Sequence, residues 1–242
     1  MLFRSLATCD FNQHPVGAGP YRVTKWEDGQ SIRMEAFRDY YDGIPKIKHV
    51  LFKIVEDADA RVMQLQSGEL DVAQITPKAA KKLRKDPNYN IVQMKTADYR
   101  AISYNEANGF FKNHPELPNI LSYGIDRKAI VKSVLLGEGQ VAYSPLQKNQ
   151  YCDSSMEKFN YQPDKCCALL RKSGWKKNKD GYYEKNGQEL AFTIYAMEND
   201  AVRVDMAKMC AQQLQKVGVH ATAAAKQEIA DQIGRASCRE RV

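Results

Sequence analysis

No stretch of the 242 residues approaches the roughly 18 consecutive apolar residues that a membrane-spanning helix requires. Residues 1–9, MLFRSLATC, are too short and too weakly apolar for a secretory leader. The chain is therefore expected either to be cytosolic or to continue upstream of Met1. The six cysteines, at 9, 152, 166, 167, 210 and 238, contain no CxxC pair and no spacing that suits zinc. Four histidines, His14, His49, His114 and His220, lie far apart without HxxxH or HExxH, which leaves only a remote assembly as a metal site. The GxSxG of a nucleophile elbow is missing as well. Two S-x-x-K matches, Ser155 to Lys158 and Ser173 to Lys176, lack an accompanying SDN or KTG element, and the second straddles a helix end. No cysteine sits in a recognisably reactive setting. An enzyme reading finds no support, and no cofactor is implied.

Long runs of one charge are also scarce. The net charge of +7 is dispersed among 29 acidic residues, and the densest basic clusters are Lys81, Lys82, Arg84 and Lys85, and Lys176 with Lys177. A solvated helix face accounts for the first cluster better than a phosphate-binding patch does. A basic α/β nucleic-acid-binding protein stays open as an alternative of a different class. The only glycine-rich loop, residues 12–21, NQHPVGAGPY, has neither G-x-G-x-x-G nor a GK[ST] ending and leads through Pro20 into a strand-like run, so it is a turn.

What is present is ordinary globular material, 43% hydrophobic and 27% charged, enough for one large domain or two small ones. Asp28-Gly29 separates strand-like runs at 21–27 and 30–37, a strong two-residue hairpin signal. Residues 49–56 read as a buried strand through Val50, Phe52, Ile54 and Val55. Asp59 is expected to cap a helix over 60–67 that turns Val62 and Leu65 inward and stops at Gly68. A strand follows at 70–75, and Thr76 with Pro77 opens a helix over 78–84 before a strand at 91–96. Strands alternating with short helices argue for α/β architecture.

The organising stretch runs from Asp98 to Pro145. Residues 101–105 are strand-like, and Asp126 is placed to cap a helix whose apolar face is Ile130, Val131, Val134 and Leu135, with Gly137 at its end. Further on, Pro163 opens a helix packed through Cys166, Leu169 and Leu170 and ended at Gly174. A hairpin is expected around Lys185-Asn186-Gly187, then a strand through Leu190, Phe192 and Ile194. The helix over 201–217, burying Val202, Met206, Met209, Leu214 and Val217, and a strand over 219–223 complete a βαβ unit. The methionines suit a core rather than a cofactor site, and the adjacent Cys166 and Cys167 suit small apolar roles.

These segments resemble a known family. Residues 121–131, LSYGIDRKAIV, are similar to the "ALxYAIDRxxIV" segment of the family 5 extracellular solute-binding proteins, the receptors of ABC importers for oligopeptides, dipeptides and nickel chelates. Residues 57–72, DADARVMQLQSGELDV, resemble "DxxxRxxALQSGEvDi", and residues 12–21 resemble "NPVGTGPY" with Ala18 in place of Thr. Residues 40–47, YYDGIPKI, resemble "YWxGKPxLD", Tyr143 to Leu146 resemble "sPlpP", and residues 161–175 resemble "YDPEKAKxLLxEAGW", with cysteines at 166 and 167 where Ala or Lys is usual. Departing from the pattern, residues 117–120, LPNI, stand where the family carries "VRQA", so its Arg is absent.

The resemblance covers about Asn12 to Ala225 and implies an α/β, two-lobed periplasmic-binding-protein-like fold of type II, cluster C, incomplete at both ends. Residues 1–97 become part of lobe I, 98–105 a crossing strand or hinge, and 106–231 part of lobe II. It implies ligand-contacting roles for Ser103, Tyr104, Asn105 and Tyr143. The implied ligand is a peptide, with a nickel or metal chelate as the alternative. The implied partners are ABC permease subunits, with no nucleic acid, and the expected state is a monomer. The setting is periplasmic or extracellular, anchored at the membrane. Residues 232–242 are expected to be foreign, because IGRASCRERV translates a common sequencing adapter, ATC GGA AGA GCG TCG TGT AGG GAA AGA GTG. On that reading the natural chain continues beyond about residue 231, and the tail is expected to lack regular structure.

Overall fold

The computed structural model describes residues 15–94, 96, 98–106, 109–146, 155 and 158–227. The tail from 228 onward, with the expectation attached to it, lies outside them. The chain divides into two compact units between Gln74 and Ile75.

In the first unit, β1 (Tyr21–Glu27), β2 (Ser31–Ala36) and β3 (His49–Lys53) form an antiparallel sheet in the order β1-β2-β3. The hairpin forms where Asp28-Gly29 predicts it. Its loop has three residues where two were expected, because Gly29 takes φ 68° and the Gln30 N–H donates to the Glu27 carbonyl at 3.0 Å, which draws Gln30 out of the strand. The register aligns Trp26, Ile32 and Phe52 across the three strands, and Val23, Met34 and Val50 in a second row. One face of the sheet is thus apolar. The other carries Arg22, Glu35 and His49 in one row and Arg33 in another.

The expected buried strand at 49–56 is corrected. β3 is an edge strand ending at Lys53, and Leu51, Phe52 and Ile54 are 55%, 57% and 45% exposed. An apolar run reports what a strand is able to bury, whereas the layer that covers it is decided elsewhere in the fold. The next helix, α1 (Ala58–Gln66), is capped by Asp57, whose carboxylate accepts from the Ala60 N–H at 2.7 Å. Asp59 lies within the first turn, beside the positive end of the helix. Val62 and Leu65 are half-buried, and Gly68 ends the helix at φ 78°. No strand forms over 70–75, where Val72 is 87% exposed. Arg61 instead fastens this stretch to the chain before the helix. Its guanidinium donates to the carbonyls of Val55 at 2.5 Å, Glu56 at 2.9 Å and Gln74 at 3.1 Å.

The second unit opens with α2 (Pro77–Leu83), capped by Thr76 and seated by buried Ala80 and Leu83. The expected strand at 91–96 is not formed among the described residues, and Val92 and Met94 are exposed. Short helices follow: α3 (Gly109–Asn113), α4 (Leu117–Ser122), α5 (Arg127–Ser133) and α6 (Pro163–Lys172). Then come the antiparallel strands β4 (Lys176–Lys177), β5 (Tyr183–Lys185) and β6 (Gln188–Glu189). The β5–β6 turn is Asn186-Gly187 with φ 54° and 76°, the two positive values that a two-residue hairpin of this kind demands.

Finally β7 (Ala191–Met197), α7 (Ala201–Lys216) and β8 (His220–Lys226) form the expected βαβ unit, with the strands parallel from Ala191 opposite His220 to Met197 opposite Lys226. The buried face of α7 is Ala207, Cys210, Ala211 and Leu214, continued by Val217. Val202, Met206 and Met209 are only half-buried at its margin. Small side chains let a helix approach strands closely, so the packed stripe lies one residue round from the larger apolar residues. The core is fully closed around Leu117, Leu121, Leu170, Trp175, Leu190 and Leu214. Each buried leucine contributes about 1.5–3 kcal/mol relative to exposure.

Candidate ligand-binding site

Residues 101–105 form no paired strand among the described residues, and their burial alternates from Ala101 to Tyr104. Ile102 and Tyr104 pack on the core of the second unit, while Ala101 and Ser103 face solvent and Asn105 is half-buried. The Tyr104 ring meets Phe111 edge-on at 4.9 Å and Phe192 at 6.5 Å. Burial pushes its hydroxyl well above the ordinary tyrosine range. The neighbouring Cys210 and Cys166 thiols add to this, and Arg127 opposes it. Of the four candidates, then, Tyr104 uses its ring as an anchor. Tyr143 is half-buried in a different local setting, where its hydroxyl donates to Asn160 Oδ1 at 3.3 Å.

The turn that follows α4 is held by four kinds of contact. Tyr123 is buried, with Phe159 edge-on at 5.2 Å and the Lys165 ammonium 3.9 Å from its ring centre. A side chain at Gly124 would be tight, since a Cβ there would lie 3.3 Å from the Leu121 carbonyl oxygen, from Leu214 Cδ2 and from Val217 Cγ2. Asp126 caps α5 by accepting from the Ala129 N–H at 2.9 Å, as its spacing predicts. Arg127 donates to the carbonyls of Ser122 and Phe159, each at 3.0 Å.

Sequence reasoning missed two further supports. Gln213, buried on α7, accepts from the Asp126 N–H at 2.8 Å and donates to the Asp126 carbonyl at 3.4 Å. Arg100 faces both carboxylate oxygens of Asp200, at 3.4 and 3.3 Å. A polar residue inside an apolar helical stripe and an ion pair a hundred residues apart leave no local pattern to find.

The buried thiols of the second unit are not poised as nucleophiles. Burial pushes the Cys166 thiol up to about 12 and the Cys210 thiol up to about 11, far from a thiolate nucleophile. Among the described residues no group of three or more His, Cys, Asp or Glu side chains converges to hold a metal, and no helix is long and apolar enough to cross a membrane. A cavity of about 100 Å³ beside α7 and β8 is lined chiefly by Ala196, Val204, Ala207 and Ala223. Sites that enclose a small molecule usually measure about 300–1,000 Å³.

Comparison with known proteins gives these features a family. Residues 5–233 match the sequence profile described as bacterial extracellular solute-binding proteins, family 5, middle. The chain belongs to that family. Among its relatives is the oligopeptide-binding protein AppA of Bacillus subtilis, 36% identical over 215 residues, which are 87% of this chain and 39% of AppA. The glutathione-binding protein GsiB of Salmonella typhimurium is 28% identical over 88% of this chain and 40% of its own length. The structure of NikZ from Campylobacter jejuni in complex with Ni(L-His) superimposes with a TM-score of 0.84 and 34% identity, over 93% of this chain and 46% of NikZ. AppA in complex with a nonapeptide superimposes with a TM-score of 0.74 at 34% identity, over 92% of this chain and 45% of its own. The fold is accordingly that of part of a type II periplasmic binding protein, and the chain spans about two-fifths of the curated relatives it matches. The IDR turn and the Arg61 clamp, which carry the family resemblance, are built for local structure.

Proposed function

We propose that the whole protein is the ligand-capturing component of an ABC importer. It binds an oligopeptide or dipeptide between two lobes and hands it to membrane permease subunits. The observation that carries this reading is the 36% identity to AppA across 87% of the chain, together with the superposition on AppA holding a nonapeptide. The output is binding energy and lobe closure, with no catalysis and no cofactor. Ser103, Asn105 and Tyr143 are the ligand-facing candidates, with Tyr104 supporting them through its packed ring. The protein acts as a monomer outside the cytoplasmic membrane, anchored to it, and takes no nucleic acid. Lobe I comprises residues 1–97, the crossing 98–105 and lobe II 106–231.

A second reading, capture of a nickel chelate, draws on the TM-score of 0.84 to NikZ with Ni(L-His). A chelated ion brings donor atoms of its own, so a ring of protein ligands is no requirement.

Titration calorimetry separates the two. The full-length protein is expected to bind members of a peptide library at micromolar affinity or better, and chelated nickel at least a hundredfold more weakly. The 242-residue chain alone is expected to bind neither usefully, because losing about 4 kcal/mol of contacts weakens binding roughly a thousandfold. Tighter binding of the chelate than of any peptide selects the second reading, and micromolar binding by the 242-residue chain refutes the placement of the site between lobes.

A further inference from the structure

The segment from Asp98 to Asn105 is held to the second unit at alternate residues, 100, 102 and 104. Arg100 reaches the Asp200 carboxylate with both terminal nitrogens, at 3.4 and 3.3 Å, and its Nε lies 3.2 Å from Asp98. Two residues on, Ile102 packs against the core, and two further on the Tyr104 ring lies between Phe111 and Phe192. Asp200 follows the end of β7 and Phe192 lies near its start, so the segment runs in the opposite direction to β7. In an extended chain, residues 100, 102 and 104 share one side and 101, 103 and 105 the other. The three anchors therefore turn Ser103 to the side away from them, and Asn105 follows at a tight turn in which the Glu106 N–H donates back to the Tyr104 carbonyl at 3.0 Å.

Asp200 is more than an ion-pair partner. It caps α7 by accepting from the Arg203 N–H at 3.0 Å, and the Arg203 side chain lies 3.0 Å from its second oxygen. The polar anchor of the segment is thus fixed to the start of the longest helix of the unit, a helix buried along Ala207, Cys210, Ala211 and Leu214. The Arg100 and Asp200 side chains are 31% and 27% exposed, which leaves their attraction partly screened and makes it a device for position more than for stability.

We propose that Arg100 and Asp200 are positioning residues. Together they latch the crossing segment onto the second unit, so that Ser103 and Asn105 are presented to a ligand already ordered and move with that unit. This rests on the reading of the segment as a crossing between ligand-binding lobes. Without the latch, the segment between the polar anchor and the Tyr104 ring must be ordered by the ligand itself, which lowers affinity.

The test uses the full-length protein and the variants D200N, R100Q, R100K and the double variant R100Q/D200N. Asparagine caps helices as well as aspartate does, so D200N removes the charge and retains α7. Hydrogen exchange of amides 101–105 is expected to accelerate in D200N and in R100Q, with no further gain in the double variant and partial recovery in R100K. Amides within α7 stay unchanged. Affinity for the best peptide of the library falls about three- to fivefold in each single variant, the range that a partly exposed ion pair supports. Unchanged exchange at 101–105 in D200N overturns the latch, as does a double variant in which the two effects add. Should the full-length parent bind neither peptide nor chelate, the functional reading fails, and the exchange measurements still decide the latch.

Discussion

Replacing Gln213 offers the sharpest probe of how the second unit is held together. Its side chain is 7% exposed and lies against the backbone of Asp126, accepting from the N–H at 2.8 Å and donating to the carbonyl at 3.4 Å. Asp126 in turn caps α5. Gln213→Ala leaves a buried N–H without its partner, which costs about 1–3 kcal/mol. It also removes one methylene and the amide group from a closed interior, adding about 1–2 kcal/mol. The expected sum is about 3 kcal/mol. Gln213→Met restores most of the volume but neither bond, and is expected to cost about 1–2 kcal/mol. Urea unfolding of the full-length protein, followed with hydrogen exchange in the first turn of α5, measures both. A Gln213→Ala variant within about 0.5 kcal/mol of the parent, the ordinary range for surface changes, refutes the assignment of Gln213 as the strut of this turn.

Two further outcomes follow from the same interior. Gly124→Ala places a methyl group 3.3 Å from the Leu121 carbonyl oxygen, Leu214 Cδ2 and Val217 Cγ2, and is expected to cost about 1–3 kcal/mol by overpacking in a denaturation experiment. A neutral result shows that α7 is free to shift. Burial holds the Cys166 and Cys210 thiols near 12 and 11, above the ordinary value of 9.0. Between these limits the unfolded chain loses protons that the folded chain keeps, so their contribution to stability is complete below about pH 9 and declines as the pH rises towards 11–12. Stability measured from pH 7 to 10.5 is expected to fall at the alkaline end, and less so in a Cys166→Ala/Cys210→Ala variant. An equal alkaline slope in that variant removes the thiols as its cause.

Much of the second unit was legible because its signals are local. Pro163, Gly174, Asp126, Gly187 and the alternation through Leu190 and Ile194 each act on the backbone within a few residues, and the structure uses each in the expected way. Asp57 in place of Asp59 as the cap of α1 is a shift of two residues between two chemically equal candidates, decided by where the preceding chain, clamped by Arg61, enters the helix. The failures concern strands. Residues 49–56, 70–75 and 91–96 read as strands, the first as a buried one, yet β3 stops at Lys53 and the other two stretches form no ladder among the described residues. A strand exists only by pairing, and pairing partners are not written in the strand itself.

By itself, then, the sequence determined which residues start and stop the helices, the βαβ order of the last elements and, through the 57–72 and 121–131 segments, the family. Those depend on capping, on glycine's access to positive φ and on short-range periodicity, all of which are properties of neighbouring residues. Tertiary structure alone decided that Ala207, Cys210 and Ala211 rather than Met206 face the strands, that Gln213 supports Asp126, and that Asp200 holds Arg100. Close packing selects on shape at a contact, and a hydrogen bond or ion pair selects on distance in space. Neither quantity exists until residues 87 and 100 positions apart have been brought together.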